Sequence, residues 1–333
     1  MQNRPINDKK FMALYAAMGP LYVRWTAASI LSLIENTHWT QGIGVVVSRD
    51  DERDVLKKLF PHIWCESVDF EVGPETAKYF FKPFALGKIS FDCFPKYDHI
   101  LFLDGDVFCE GDVGDLLEKI DGAFWVDEIF NHKKIAGSYY ELILKDVAKG
   151  ENIALDPNRV EYNSGLWSVP YDAFKILVKE YAELTRKYYL KYTTRKPIGD
   201  QIFLAPAAVK IGLKPFMIEG KYKTYAYTSC KHYDIGLNHF AGDWRCRKTP
   251  WQARLKTSGI EEKLIKLTKK NLSAEEFKWL WDINWDRDRF LGKADLPFWA
   301  ALQSECKIKQ FALATKFKSY AKVVLNKFAL RGK

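Results

Sequence analysis

Short apolar runs alternate along the first half of the chain with segments whose apolar residues recur every three or four positions. The run Phe11 to Ala16 predicts a strand, Leu21 to Glu35 a helix, Gly44 to Ser48 a strand and the charged stretch Asp50 to Leu59 a helix. An apolar stretch from Trp64 to Phe70, a segment from Tyr79 to Phe91 and the run HILFLDGDVF continue the rhythm. This βαβ order, with strands apolar throughout, predicts an α/β fold with a mainly parallel sheet buried on both faces. Ligands are then expected at the carboxyl edge of the strands.

Further on, the pattern predicts a helix over Val113 to Ile120, a strand over Ala123 to Val126 and a helix near Tyr139 to Ala148. The strand-like EYNSGLWSVP follows, then helices at about Tyr171 to Tyr189 and Asp200 to Val209. Past Trp251 the character changes to short helices rich in Lys and Trp. We place a soft boundary near Pro250, dividing a domain over 1–250 from a helical region over 251–333 whose tail, about 307–333, is basic.

The composition, 47% hydrophobic and 28% charged over 333 residues, describes a globular chain rather than a disordered one. No apolar run approaches the ~20 residues that cross a bilayer, and the opening MQNRPINDKK leads into an apolar stretch too short and badly flanked for a signal peptide. A cytoplasmic location is expected. The six cysteines are scattered without a CxxC pair, which excludes a zinc cluster or a disulfide framework as the organising device.

The formal charge is +9. Nearly all of this excess sits in Lys307, Lys309, Lys316, Lys318, Lys322, Lys327, Arg331 and Lys333, a stretch without Asp or Glu. Leu313, Phe317, Tyr320, Val324 and Phe328 recur there at helical spacing, the pattern of an amphipathic helix on an anionic membrane surface. A helix docked on the domain with a basic outer face is the alternative. No nucleic-acid-binding signature accompanies the charge, so nucleic acid is not expected as a partner.

The candidate chemistry begins where the apolar run Ile100 to Leu103 ends in Asp104, Gly105 and Asp106. Two carboxylates one residue apart at a strand's carboxyl end can share one cleft and hold a hard divalent cation against phosphate oxygens. Gly105 is expected to let backbone and ligand approach closely. Downstream lie further motifs in order: NSG at Asn163, Ser164 and Gly165, GDQ ending in Asp200 and Gln201, and HFAGDWRCRKTPW from His239. KPFALGK, from Lys82, lies upstream.

With KPFALGK, YDHILFLDGDVFCEGDVGDLL, EYNSGLWSV, GDQIFLA and HFAGDWRCRKTPW in this order, the chain from about Phe11 to Trp251 resembles the glycogenin-like family of retaining glycosyltransferases. That family includes bacterial lipopolysaccharide galactosyl- and glucosyltransferases. The resemblance implies a GT-A type, Rossmann-like nucleotide-sugar-binding fold, with the basic helical region as a C-terminal appendage. It also implies hexose transfer from a UDP-sugar to a saccharide or glycolipid acceptor with retention of configuration. Asp104, Asp106 and His239 would bind Mn2+, with Mg2+ as the alternative; a ring nitrogen beside two carboxylates suits manganese.

The same resemblance puts Lys82 at the donor, and Tyr15, Tyr22 and Leu14 near the uridine. Ala16 and Ala17 replace the usual polar residues after the first strand. Gly242, followed by Arg245 or Lys248, would contact the diphosphate, in a register lengthened relative to the family. Asn163, Ser164, Asp200 and Gln201 would flank the transferring sugar and the acceptor, with Asp127 a further acceptor-side candidate. A second acidic residue expected after Asp200 is replaced by Ile202. Two mechanisms stay open, front-face return of the acceptor and a covalent intermediate on Asp200. The competing class is a non-catalytic or degenerate protein that binds nucleotide-sugar or membrane.

Overall fold

The computed structural model describes residues 10–69, 74–111, 113–128, 139–155, 162–192, 200–216, 236–239 and 255–281. The chain divides into two compact units, Met1–Asp282 and Ile283–Lys333, and the second lies outside the described residues. The first unit opens with β1 (Phe11–Ala17), α1 (Gly19–Thr37), β2 (Gly42–Val47), α2 (Asp50–Leu59), β3 (Trp64–Ser67) and α3 (Pro74–Gly87). It continues with β4 (His99–Leu103), β5 (Val107–Glu110), α4 (Gly114–Ile120), β6 (Phe124–Glu128), α5 (Tyr139–Glu151), β7 (Tyr162–Pro170) and α6 (Tyr171–Tyr192). A 3-10 turn, Asp200–Phe203, leads into α7 (Leu204–Lys210), followed by β8 (Pro215–Phe216), β9 (Gly236–His239), α8 (Ile260–Asn271) and α9 (Ala274–Leu280).

Seven strands form one sheet in the order β3-β2-β1-β4-β7-β6-β8, and β5 pairs with β9 in a separate ribbon. β3, β2, β1 and β4 are mutually parallel, whereas β7 runs antiparallel to both β4 and β6. The mainly parallel sheet expected from the apolar runs is therefore present, with β7 reversed. That reversal has a consequence for the site. The amino end of β7, Asn163 to Gly165, lies at the same edge as the carboxyl end of β4.

Alternate residues of each strand face opposite ways. Met12, Leu14, Ile100 and Phe102 enter one core with residues of α3, α6 and α7. Ala13, Tyr15, Leu101 and Leu103 enter the other with residues of α1, α2, α8 and α9. All five residues of β4 are buried, and each large apolar side chain among them contributes roughly 2 kcal/mol by burial.

α2 begins with Asp50, Asp51 and Glu52 and ends with Lys57 and Lys58, so its charges complement the helix dipole at both ends. Glu52 also reaches outside its helix. Buried, it accepts the backbone N–H of Gly19 at 2.6 Å and that of Ser48 at 3.0 Å. The amino terminus of α1 is thus capped by a carboxylate from α2.

The helices beyond Pro250 pack on this layer. Arg24 of α1 donates to the Leu280 carbonyl at 3.0 Å, and its guanidinium lies 5.4 Å from the Trp281 ring centroid. Ser273 begins α9 with a capping box formed with Glu276. The amphipathic pattern over Leu313 to Phe328 lies outside the described residues.

Candidate active site

The acidic pair follows β4 in a tight turn. The Asp104 N–H donates to the Gly165 carbonyl at 2.8 Å, and the Val107 N–H returns to the Asp104 carbonyl at 3.0 Å. On the far side of the turn, β5 is fastened to α1. Ser29 Oγ donates to the Val107 carbonyl at 2.5 Å, Asn36 Nδ2 donates to the Cys109 carbonyl at 2.9 Å, and Ser32 Oγ accepts the Cys109 N–H at 3.1 Å. Ser29, Ser32 and Asn36 are spaced along one face of α1 and satisfy the strand edge that β9 leaves unpaired. Asp104 and Asp106, both half-buried, are carried by this clamped turn.

The packing of α1 requires a glycine at position 105. A Cβ there would lie 2.8 Å from Thr26 Oγ1 and 3.1 Å from the Thr26 backbone nitrogen. The space beside the glycine is taken by the helix.

Lys82, on α3, gathers the other motifs. Its ammonium lies 2.9 and 3.0 Å from the two Asp104 oxygens, 3.2 Å from Asp200 Oδ2, and 3.0 Å from both the carbonyl and the hydroxyl of Ser164. It also sits 5.5 Å from the Phe102 ring centroid. Burial works against its charge, but Asp104 and Asp200 outweigh burial and hold its pKa above the ordinary lysine value. Only 14% of the Lys82 side chain and 16% of that of Asp200 are exposed, so these charges act on one another in a poorly screened setting.

Tyr181 completes the group, and sequence reasoning missed it. Its hydroxyl donates to Asp200 Oδ2 at 2.7 Å. Burial, and next the adjacent Asp200 charge, push its pKa well up, so it stays a donor at neutral pH. Tyr181 falls on the face of α6 that also carries Phe174, Leu177 and Val178, all buried. At that spacing a tyrosine looks like any core residue. Ser29, Ser32 and Asn36 did leave a signal, a polar line on a mostly apolar helix.

The remaining candidates fall in distinct places. Asn163 is buried, and its Oδ1 accepts the Gly165 N–H at 2.9 Å, which shapes the amino end of β7. The Ser164 carbonyl also accepts from Trp167 Nε1 at 3.0 Å. Gln201 is half-buried on the 3-10 turn beside Asp200. Tyr15 and Leu14 are fully buried on opposite core faces of β1, and the Tyr15 hydroxyl lies 3.3 Å from Ser29 Oγ. Tyr15 therefore serves the packing of α1 on the sheet. A side chain with no exposed surface reaches no bound uridine without repacking, which corrects its placement and that of Leu14 at the base. Tyr22 is half-buried, edge to face with Trp25 at 5.7 Å.

His239 ends β9, and the register sets it opposite Val107, the residue after Asp106. The side chains of His239 and Asp127 lie outside the described residues, as do Gly242, Arg245 and Lys248. Among the described residues no group of three or more His, Cys, Asp or Glu side chains forms a metal site.

The residues present fit a divalent cation nonetheless. The two Asp104 oxygens already hold a cation, the Lys82 ammonium, and β9 brings a histidine position alongside. The Gly19 N–H at the start of α1, a natural anion site in such folds, is engaged by Glu52.

This architecture is that of the GT-A glycosyltransferases. The galactosyltransferase LgtC, solved in complex with donor and acceptor sugar analogues, superposes with a TM-score of 0.51 at 14% identity, over 79% of this chain and 97% of LgtC. An active-site mutant of LgtC matches with a TM-score of 0.52 at 15% identity, over 81% of this chain and 99% of that one. At such identities the likeness establishes the fold. No family model matches the sequence, and no curated protein matches it.

Proposed function

We propose that this chain is a retaining, metal-dependent hexosyltransferase that moves a sugar from a UDP-sugar donor to a saccharide acceptor. The observation that carries the reading is the convergence on Lys82 of Asp104, Ser164 and Asp200, from three separate motifs, at the carboxyl edge of β4. Asp104, Asp106 and His239 are the residues that would hold Mn2+ or Mg2+. When bound, the ion supplies a Lewis acid that neutralises charge on the departing diphosphate.

The chain's own residues account for the rest. Lys82 offers a donor-side positive charge beside Asp104. Tyr181 and Lys82 both engage Asp200 Oδ2, and a carboxylate so engaged is better suited to stabilising positive charge on the sugar than to attacking it. This favours front-face return of the acceptor over a covalent intermediate. Gln201, beside Asp200, would orient sugar hydroxyls, with Asn163 setting the backbone at Gly165 beside them and Asp127 on the acceptor side. Gly242, with Arg245 or Lys248, completes the diphosphate contacts.

No helix among the described residues is long and apolar enough to cross a membrane. The basic tail is proposed to rest on an anionic membrane surface at the cytoplasmic face and to bring the site to a lipid-linked acceptor, as in lipopolysaccharide assembly. A screen of UDP-hexoses with Mn2+ and glycolipid acceptors, read by product NMR, tests the reading. The anomeric configuration of the donor should be kept. An inverted product overturns retention, and binding of UDP-sugar without turnover favours the non-catalytic alternative.

A further inference from the structure

The position of Lys82 raises a question that the proposed metal site leaves open. Its ammonium straddles both oxygens of Asp104, at 2.9 and 3.0 Å. A divalent ion bound to a carboxylate oxygen sits roughly 2.0 to 2.6 Å from it, on the side where lone pairs are directed. A dication arriving at those oxygens would meet strong repulsion from the ammonium in a poorly screened site. Moving the ammonium aside relieves that repulsion, and the surroundings provide a place for it. Asp200 Oδ2 is already 3.2 Å away, and the Ser164 carbonyl and hydroxyl, each at 3.0 Å, hold the ammonium from a third direction. The Tyr181 hydroxyl donates to the same Asp200 Oδ2 at 2.7 Å, so the receiving carboxylate is braced.

We propose that Lys82 is an internal counter-cation that occupies Asp104 until a divalent ion arrives, and then passes to Asp200 while keeping its contacts with Ser164. The inference rests on the reading of Asp104 and Asp106 as metal ligands. It assigns Lys82 and Asp200 a joint role in setting metal affinity. With the ion bound, the Lys82 to Asp200 pair would tighten and hold the carboxylate that faces the sugar more firmly than in its absence.

Mn2+ binding to the full chain, followed by electron paramagnetic resonance of the free ion and by calorimetry without any sugar nucleotide, tests this through a double-mutant cycle. K82Q should bind Mn2+ about tenfold more tightly than wild type, and D200N about tenfold more weakly, because the ammonium then has no second carboxylate. In the K82Q background the D200N penalty should vanish. K82R, which keeps the charge and grips Asp104 with two N–H groups, should bind no more tightly than wild type. Additive effects in the double variant would overturn the proposal, since Lys82 and Asp200 would then be acting only through the general field. Equal or weaker Mn2+ affinity in K82Q would overturn it as well. D106N separates the two levels of the argument. If D106N abolishes Mn2+ binding while K82Q leaves it unchanged, the metal site stands and the counter-cation role falls. If Mn2+ binds D106N as it binds wild type, the metal site is wrong and the proposal falls with it.

Discussion

Replacing Gly105 by alanine separates two roles for the glycine between the acidic residues. If Gly105 exists to admit a ligand, the alanine variant should melt normally and lose only turnover. The structure predicts otherwise, because the added methyl would meet Thr26 Oγ1 at 2.8 Å and the Thr26 backbone nitrogen at 3.1 Å. The second contact is with helix backbone, which cannot rotate away. α1 is held to β5 by Ser29 and Ser32 and capped by Glu52, so a shift of the helix would strain those contacts too. Overpacking of this kind costs roughly 1 to 3 kcal/mol, which lowers the melting temperature by about 2 to 5 °C for a unit of this size. Thr26 Oγ1 is buried without a hydrogen-bond partner among the described residues, so trimming it forfeits none of the hydrogen bonds seen there. T26A should therefore recover part of the loss in G105A, through the 2.8 Å contact alone. Thermal melts of wild type, G105A, T26A and the double variant read this directly. A G105A variant that melts like wild type would refute the reasoning.

Other consequences follow from the same contacts. Y181F removes the hydroxyl that holds Asp200 and should lower the chemical rate about tenfold with UDP affinity retained, as expected for one charge-assisted hydrogen bond; single-turnover kinetics beside UDP titration check it, and loss of UDP binding would count against the assignment. Glu151, whose side chain is 7% exposed, ties α5 to Lys187 and Tyr188 of α6 and to Lys210 of α7. Burial opposes its charge, but these partners outweigh burial and lower its pKa from 4.5 to about 2. A depressed carboxylate contributes stability above its unfolded pKa and loses it as pH falls from about 4.5 toward 2. The full shift corresponds to roughly 3 kcal/mol, and exposure of the Lys187 side chain, at 58%, reduces this to about 1 to 2 kcal/mol. E151Q should therefore melt below wild type at pH 7 by a few degrees and approach it at pH 3; equal melting at pH 7 would contradict the network. Removing residues 307–333 should release the protein from anionic vesicles in a salt-sensitive way while sparing UDP release, each lysine at the surface contributing ~1 kcal/mol; undiminished vesicle binding would contradict the membrane role of the tail.

Much of the fold was legible because its signals are local. α2 was predicted at its observed bounds, since Asp50, Asp51 and Glu52 at one end and Lys57 and Lys58 at the other mark a helix in the sequence itself. β4 was legible as a continuous apolar run ending in acids. Strand direction was not, because YNSGLWSVP reads the same parallel or antiparallel, and only the short link from Pro170 into α6 accompanies its reversal beside β4. The run HILFLDGDVF looked like one strand and its sequel but holds two, β4 and β5, in different sheets.

At the site, Asp104, Lys82, Ser164 and Asp200 were singled out from motif order, and they meet. The packing constraint on Gly105 was not legible because the neighbour it accommodates, Thr26, is distant in sequence. Tyr15 was drawn toward a ligand by its place on the first strand, whereas the alternation of the strand turns it into the core. Tyr181 escaped notice because a core-facing tyrosine carries no local mark of the carboxylate it will meet.

The central claim is most directly tested by UDP release from UDP-hexoses by the purified full chain, with Mn2+ and with excess EDTA, for wild type and D106N. Wild type should release UDP in a Mn2+-dependent way that EDTA abolishes, and a D106N variant that melts normally should release it near background. Undiminished release in EDTA, full activity in D106N, or no release from any UDP-hexose with Mn2+ present would contradict the claim.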